Sequence, residues 1–343
     1  MGKKYNKMDA LAIRRSPVAA ALMEIGGHAR FDSADAAAVF FARELDAVKQ
    51  KSYDVQYPQL MALSLFPVNG DDDPGAETIT YYTYDMEGAA KIIDNYSTDL
   101  PRADVNGTPH SAFVKSVGAS YGYSAQEMRA SRMAHKSLDS RKAEAAHFQI
   151  DNTINRICWA GDAANNLLGI LSTAQNIPVY NITAGATSSQ VKWLDKTADE
   201  ILADVRAMFA QIARTTKNVE HPDTLCLPSD VYTGLSLTRL GDTGETVLSF
   251  IQDHVPGLTI KSVAELNADS VETNPYANAV AANGSGVALL YTNSRDKLEI
   301  NNPMAFLQYP VQVRNLETIV PCEARTAGVI VYYPMSALIA VGV

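Results

Sequence analysis

At 343 residues, the chain is long enough for one large domain or two to three modest ones, and its 47% hydrophobic and 20% charged residues fit a folded protein with a sizeable core. A net charge of -9 argues against a general nucleic-acid binder, which carries a basic surface. No apolar run reaches the roughly 18 residues of a membrane span. The basic start MGKKYNK lacks the apolar core of a signal peptide, and three widely spaced cysteines, Cys158, Cys226 and Cys322, fit a reducing compartment better than a disulfide framework.

In chain order, residues 1–31 read as an arm, with basic residues clustered at Lys3, Lys4, Lys7, Arg14 and Arg15. Ser33 then caps a helix, SADAAAVFFARELDAVKQ, whose apolar face holds Val39, Phe40, Phe41, Leu45 and Val48. The following KSYDVQYPQLMALSLFPV reads as extended, punctuated by Pro58 and Pro67. Gly70 to Gly75 is a turn cluster. Thr78 to Tyr84 has the β-branched and aromatic content of a strand. Residues 87–111 read as loop with short strands, and a second strand runs from about Ala112 to Tyr123. The pattern predicts a hairpin that projects from the body. An isolated hairpin is marginal in water, so this one is expected to lie on another subunit.

Ser124 to about Cys158 reads as one unusually long helix. Ser124 is a good N-cap and Glu127 completes a capping box. The run has no Pro or Gly and is about three times the mean helix length. Its apolar positions (Met128, Met133, Leu138, Ala145, Phe148, Ile150, Ile154, Ile157) follow no strict heptad. A mostly polar helix of this length must bridge parts of a large structure or be covered by neighbouring chains. Beyond it, Gly161 to Gly169 is a turn and 174–191 a polar loop. Lys192 to Arg214 forms a second helix, with Leu194, Ile201, Val205, Met208, Phe209 and Ile212 on one face. Thr224 to Pro228, Leu258 to Val263 and Val287 to Tyr291 are strands. Helices begin at Ser229 and span Glu245 to His254. Residues 309–320 alternate like a strand, and 327–341 is an apolar β run. The order is mixed, α+β, with no βαβ repeat.

Chemistry-bearing motifs are absent. Gly241-Asp242-Thr243-Gly244 lacks the GK[ST] of a P-loop, and Gly284-Ser285-Gly286 is too short for a nucleophile elbow. The six histidines, His28, His110, His135, His147, His221 and His254, are not paired at metal-ligand spacing. His135 and His147 read as surface or interface residues. Asp71-Asp72-Asp73 lacks the alternating oxygen ligands and closing Glu of a calcium loop and reads as a solvated turn. Cys158 and Trp159 read as packing residues. No catalytic, cofactor-binding or metal-ligating residue is nominated, no cofactor is implied, and the chain is expected not to be an enzyme.

The order of elements nevertheless resembles the tailed-phage major capsid proteins of the HK97-like fold, the "major capsid family". Pro74 to Tyr81 followed by Glu87-Gly88-Ala89-Ala90 resembles the family's extended loop, and Asp99 to Val105 its return. Tyr121 to Glu127 is similar to the start of the spine helix, and Trp159 to Leu171 to its exit. Gln308-Tyr309-Pro310-Val311 and Tyr332-Tyr333-Pro334 are similar to the closing strands. The resemblance spans about Ala42 to Val343. It implies an N-terminal arm and helix (1–50), an extended loop region (51–123), a spine helix of a peripheral domain (124–165, with returning strands about 300–320) and a mainly axial domain (166–343). It further implies self-assembly into hexamers and pentamers of an icosahedral shell around phage double-stranded DNA. The expected partners are scaffolding, portal and possible decoration proteins, with no membrane and no sequence-specific DNA binding. Localisation would be the virion capsid, assembled in the host bacterial cytoplasm. The Lys–Asn crosslinking residues of some members do not map onto matching positions here. Two other readings are an encapsulin-type bacterial compartment shell and a soluble α/β hydrolase-like enzyme.

Overall fold

Strand Thr224–Pro228 is buried along its whole length, and its side chains alternate between two cores: Leu225 and Leu227 join one, Cys226 the other. A strand that is apolar on both faces needs cover on both. In the computed structural model, which describes residues 57–92, 100–134, 139–241, 244–276 and 286–343, that cover comes from a layered arrangement around a five-stranded sheet. The expected arm and the helix starting at Ser33 lie outside the described residues. The sheet order is Val179–Asn181, Ala337–Val341, Val287–Tyr291, Thr224–Pro228, Thr259–Val263. The outer pairings are parallel and the two inner ones antiparallel.

One face of this sheet packs on helices Ala198–Thr216, Ser229–Leu237 and Val247–His254. The first presents Ile201, Val205, Met208 and Ile212 as a single stripe. It begins at Thr197 rather than Lys192, because Glu200 Oε2 accepts from the Thr197 backbone N–H at 3.1 Å and closes the N-terminal turn there. Leu194 therefore lies outside the helix, exposed, in the short turn Trp193–Asp195. Trp193 is buried and donates Nε1–H to Asp204 Oδ2 at 3.0 Å. Lys196 Nζ donates to the same oxygen at 2.6 Å and to Thr183 O at 2.7 Å. This buried, well-bonded pair fastens the preceding loop to the helix.

The opposite face packs on helix Asp139–Ala160 through Ala146, Ile150, Ile154, Cys158 and Trp159. Phe66, just after the short helix Ala62–Leu65, lies edge-on to Trp159 at 5.4 Å and 5.3 Å from Tyr291. The single helix expected over Ser124 to Cys158 is instead two, Ala125–Ala134 and Asp139–Ala160. Lys142 Nζ lies 3.0 Å from Glu127 Oε2. On one continuous helix those residues would be about 22 Å apart along the axis, so the two helices are not collinear. Lys142 also donates to Gly122 O at 2.8 Å and stands 4.5 Å over the Tyr123 ring. Tertiary contacts of this kind override a run of good helix formers. The predicted capping box is present, with Ser124 N donating to Glu127 Oε2 (3.2 Å) and Glu127 N to Ser124 Oγ (3.1 Å).

A peripheral sheet backs the longer helix. Lys115–Ser124 pairs antiparallel along the full length of Glu317–Thr326, whose other side takes Met304–Gln308 and Gln312–Arg314. The strand predicted over 309–320 is thus a hairpin, turned at Asn315 (φ +55°) and Leu316. The apolar run predicted over 327–341 is likewise two strands, separated by the Pro334–Ser336 turn. Gly328–Val331 pairs with Leu298–Asn301, which also takes Val68–Asn69.

The exit of the long helix is stitched by the returning chain. Ile157, Cys158 and Trp159 carbonyls accept from Gly161 N (2.8 Å), Ile170 N (2.8 Å) and Leu171 N (2.9 Å). Gly328 (φ +77°) crosses this exit so closely that a Cβ there would lie 2.3 Å from Leu168 O. Gly328→Ala is expected to destabilise the fold by about 2 kcal/mol or more, measured as a lower midpoint in urea.

Glu200 offers a second test. Its carboxylate accepts from Thr187 N at 2.7 Å and Ser188 N at 3.1 Å as well as Thr197 N. The Thr187 backbone N–H is the largest of the causes that pull its pKa to about 2. The folded value lies below the ordinary 4.5, so this contribution is complete above about pH 4.5 and is lost as pH falls toward 2. Glu200→Gln should lower the melting temperature at neutral pH and flatten its decline between pH 4.5 and 2.

Candidate assembly surfaces

Strands Thr78–Gly88 and Ala103–Phe113 pair antiparallel through eleven positions, from Thr78 opposite Phe113 to Gly88 opposite Ala103. At about 3.4 Å per residue the ribbon is about 37 Å long. Its second strand is not the predicted 112–123 stretch. Buried Val114, whose N–H donates to Glu77 O at 2.9 Å, divides that stretch, and Lys115–Ser124 passes into the peripheral sheet. The predicted loop over 87–111 is therefore largely strand from Ala103 on. Residues 103–111 are all exposed, so no apolar alternation marks them.

Directly opposed residues share a face of a hairpin. One face carries Tyr82 opposite Pro109, Tyr84 opposite Gly107 and Met86 opposite Val105. Its apolar side chains are bare, with Tyr84 at 72% and Met86 at 87% exposure. The other face carries Thr83 opposite Thr108, Asp85 opposite Asn106 and Glu87 opposite Asp104, so three carboxylates sit toward its tip. The hairpin is thus amphipathic across its thickness, with no core of its own.

Among the described residues, its foot is tied down to the body. Tyr81 stacks on His110 at 5.1 Å and meets the Tyr332 ring edge-on at 4.9 Å. Thr83 Oγ1 lies 2.9 Å from His110 Nε2. Tyr332 donates its hydroxyl to Glu299 Oε1 at 2.6 Å, and burial together with that carboxylate raises the phenol's pKa. The aspartate run acts as a bolt. Asp73 Oδ1 accepts from Gly75 N at 2.7 Å, Asp72 Oδ2 accepts from Asn301 Nδ2 at 2.5 Å, and Arg325 Nη1 donates to Pro74 O. These carboxylates serve a turn, as the sequence suggested.

A second bare apolar row follows the peripheral sheet. Leu307, Tyr309, Val311 and Val313, spaced by two, are all exposed, with Val313 at 77% and Leu316 beside them at the turn.

The other residues singled out in the sequence fall into packing roles. His147 pairs with Asp151 at 2.8 Å and packs 4.4 Å from Phe306. His254 stacks on Phe250 at 4.0 Å. His28 and His135 lie outside the described residues. Cys158 and Trp159 are fully buried, and burial pushes the Cys158 thiol up to about 12. Among the described residues no group of three or more His, Cys, Asp or Glu could hold a metal ion. Sequence reasoning missed a buried polar knot: Asn155, 2% exposed, bridges the Ala62 backbone and Glu265. The one available signal was an Asn beside Ile154 in the apolar stripe of a helix.

A two-faced sheet, a long helix backed by a second sheet and a long two-stranded hairpin make up the HK97-like fold. Three solved structures share it. The capsid of Myoviridae phage XM1 superposes with a TM-score of 0.73 at 18% identity, covering 88% of this chain and 98% of that one. The capsid of a native GTA particle gives 0.60 at 10% identity, with 90% and 98% covered. A virus-like particle from Pyrococcus furiosus gives 0.50 at 10% identity, with 81% and 91% covered. No curated protein matches the sequence. Residues 88–343 match the family described as "Major capsid protein", and the chain belongs to that family. It is a capsid shell protein, and neither the hydrolase nor the compartment-shell reading is favoured by these matches.

Proposed function

We propose that this subunit assembles as the hexamers and pentamers of an icosahedral phage shell that encloses double-stranded DNA. The observation that carries the reading is the hairpin. Eleven paired positions have no covering layer among the described residues, which leave the face of Tyr82, Tyr84, Met86 and Val105 bare. A free two-stranded ribbon is marginal in water, and an exposed apolar surface of this kind marks an interaction site. Laid across a neighbouring subunit, that face is covered and the ribbon gains a third layer. The row Leu307, Tyr309, Val311 and Val313 is the receiving surface best matched to it in chemistry.

In this reading the extended loop region is 51–123, the peripheral domain is the long helix with its backing sheet, and the five-stranded sheet with its helices is the axial domain. The role is structural and not catalytic. Scaffolding, portal and decoration proteins are the expected heterologous partners, and assembly takes place in the host bacterial cytoplasm. A wall of net charge -9 suits DNA that must slide past it, since tight phosphate binding would hinder packaging and release.

Two measurements test this. Tyr84→Asp combined with Met86→Asp is expected to leave the subunit's far-UV circular dichroism and melting temperature unchanged. The same variant should abolish regular shells in negative-stain micrographs, and normal shells would reject the docking assignment. Purified subunits are expected to bind duplex DNA no tighter than roughly 1–100 µM at physiological salt. Nanomolar, sequence-specific binding in a filter titration would contradict the shell role.

A further inference from the structure

Asn155 uses both ends of its amide: Oδ1 accepts from Ala62 N at 3.0 Å, and Nδ2 donates to Glu265 Oε1 at 3.0 Å. Glu265 Oε1 also accepts from Met61 N at 3.0 Å. The other carboxylate oxygen, Oε2, is buried without a hydrogen-bond donor among the described residues, in a residue only 8% exposed. A buried carboxylate oxygen without a donor is costly, and such groups are rare in folded proteins. Glu265 lines a cleft of about 420 Å³ whose wall adds the exposed carboxylates of Asp269 and Glu272, and no Lys or Arg among the described residues lines it. A second groove has the opposite character. It runs along helix Ala198–Thr216, encloses about 710 Å³, and sets Arg206 and Arg214 beside Ala203, Ala207, Ala210 and Tyr180. Both arginines are exposed, and neither has an ion-pair partner among the described residues. Eight residues apart, they stand about 12 Å from each other along the helix axis. The alanines between them leave the helix backbone within reach of another surface.

The two patches lie at opposite edges of the central sheet. Tyr180 belongs to the edge strand Val179–Asn181, whereas Ala264 and Glu265 follow directly on the other edge strand, Thr259–Val263. They also lie on opposite faces. Helix Ala198–Thr216 packs on one core, while Asn152 and Asn155, at the acidic cleft, belong to the helix that covers the other. Five strands at the usual spacing put the two edges about 19 Å apart, so a chain cannot join its own patches.

We propose that Arg206 and Arg214 of one subunit dock on Glu265, Asp269 and Glu272 of the next, so that opposite edges of the central sheet form a head-to-tail contact around each ring. This rests on the shell reading above. A ring of identical subunits needs one contact that joins two different patches, and these two are opposite in charge and in position. A guanidinium group supplies the donor that Glu265 Oε2 lacks, and charge-assisted hydrogen bonds of this kind are stronger than neutral ones. Sixfold and fivefold rings present the contact at different angles, and long arginine side chains reaching a loop accommodate both.

The test is a pair of charge reversals in the full-length chain, read by negative-stain microscopy of the purified assemblies. Arg206→Glu with Arg214→Glu, and separately Asp269→Lys with Glu272→Lys, should each cut the yield of rings and shells roughly tenfold or more, because like charges then face each other. All four side chains are exposed, so the circular dichroism and melting temperature of the unassembled subunit should not change. Carrying all four changes in one chain should restore closed shells. Mixing the two double variants should restore hexamers but not pentamers, since the complementary contact then requires the two kinds of subunit to alternate and an odd ring cannot alternate throughout. Open hexameric sheets or tubes are therefore expected from the mixture. Double variants that assemble like the wild-type chain, or a four-site variant that keeps native circular dichroism and stays unassembled, would overturn this contact and leave the shell reading standing. Closed shells with pentamers from the mixture would place the contact elsewhere than around a ring and overturn it as well. A wild-type chain that forms neither rings nor shells would remove the shell reading and this proposal with it.

Discussion

The three inner strands of the central sheet have no solvent face, and the placement of the elements around them follows from that. Ala337–Val341 lies inside it, parallel to Val179–Asn181 on one side and antiparallel to Val287–Tyr291 on the other. Ala337, Ile339 and Val341 enter one core while Leu338 and Ala340 enter the other. A slip of one residue would exchange the two sets, so both cores enforce one register. The long helix on one face and the three helices on the other are thereby fixed to a common wall. The peripheral sheet reaches that wall through Thr326, Ala327 and Gly328, where Gly328 presses against Leu168 at the helix exit. The joint is backbone against backbone, which leaves little freedom for the peripheral sheet to swing.

The hairpin is the opposite case. Its foot is fastened by aromatic packing around Tyr81, His110 and Tyr332, while its outer length is exposed among the described residues. Its two faces differ sharply in character. The apolar one favours burial against protein, and the one ending in Asp85, Glu87 and Asp104 favours water. A ribbon built this way can be docked in only one sense, since the reverse would bury three carboxylates without partners. Polarity across the ribbon therefore specifies orientation as well as attraction.

Legibility in the sequence tracked how local each signal was. The strands Thr224–Pro228 and Val287–Tyr291 were readable because short, mostly apolar runs bounded by turn residues are local signals. The capping box at Ser124 was readable for the same reason. That Ala125–Ala134 and Asp139–Ala160 are not collinear was not, because it shows only in a tertiary contact, Lys142 reaching back to Glu127. The strand over Ala103–Phe113 escaped notice because an exposed ribbon has no buried alternation to print on the sequence. The split of 309–320 rests on one left-handed Asn315, a residue type that tolerates such a turn without announcing it. The Asn155–Glu265 knot joins residues 110 positions apart, beyond the reach of any local pattern.

The three thiols carry a consequence of their own. Cys158, Cys226 and Cys322 all belong to the core on the long-helix side of the central sheet, and none belongs to the core on the other side. Burial pushes the first two up to about 12, so each must meet water before it can ionise and react. An alkylating reagent therefore acts as a one-sided clock. It counts openings of the layer that joins helix to peripheral sheet and is blind to fluctuations among the three helices opposite. The native sequence thus contains its own means of asking whether neighbours in an assembled lattice quiet the interior of each member, with no engineered probe to disturb the packing being timed.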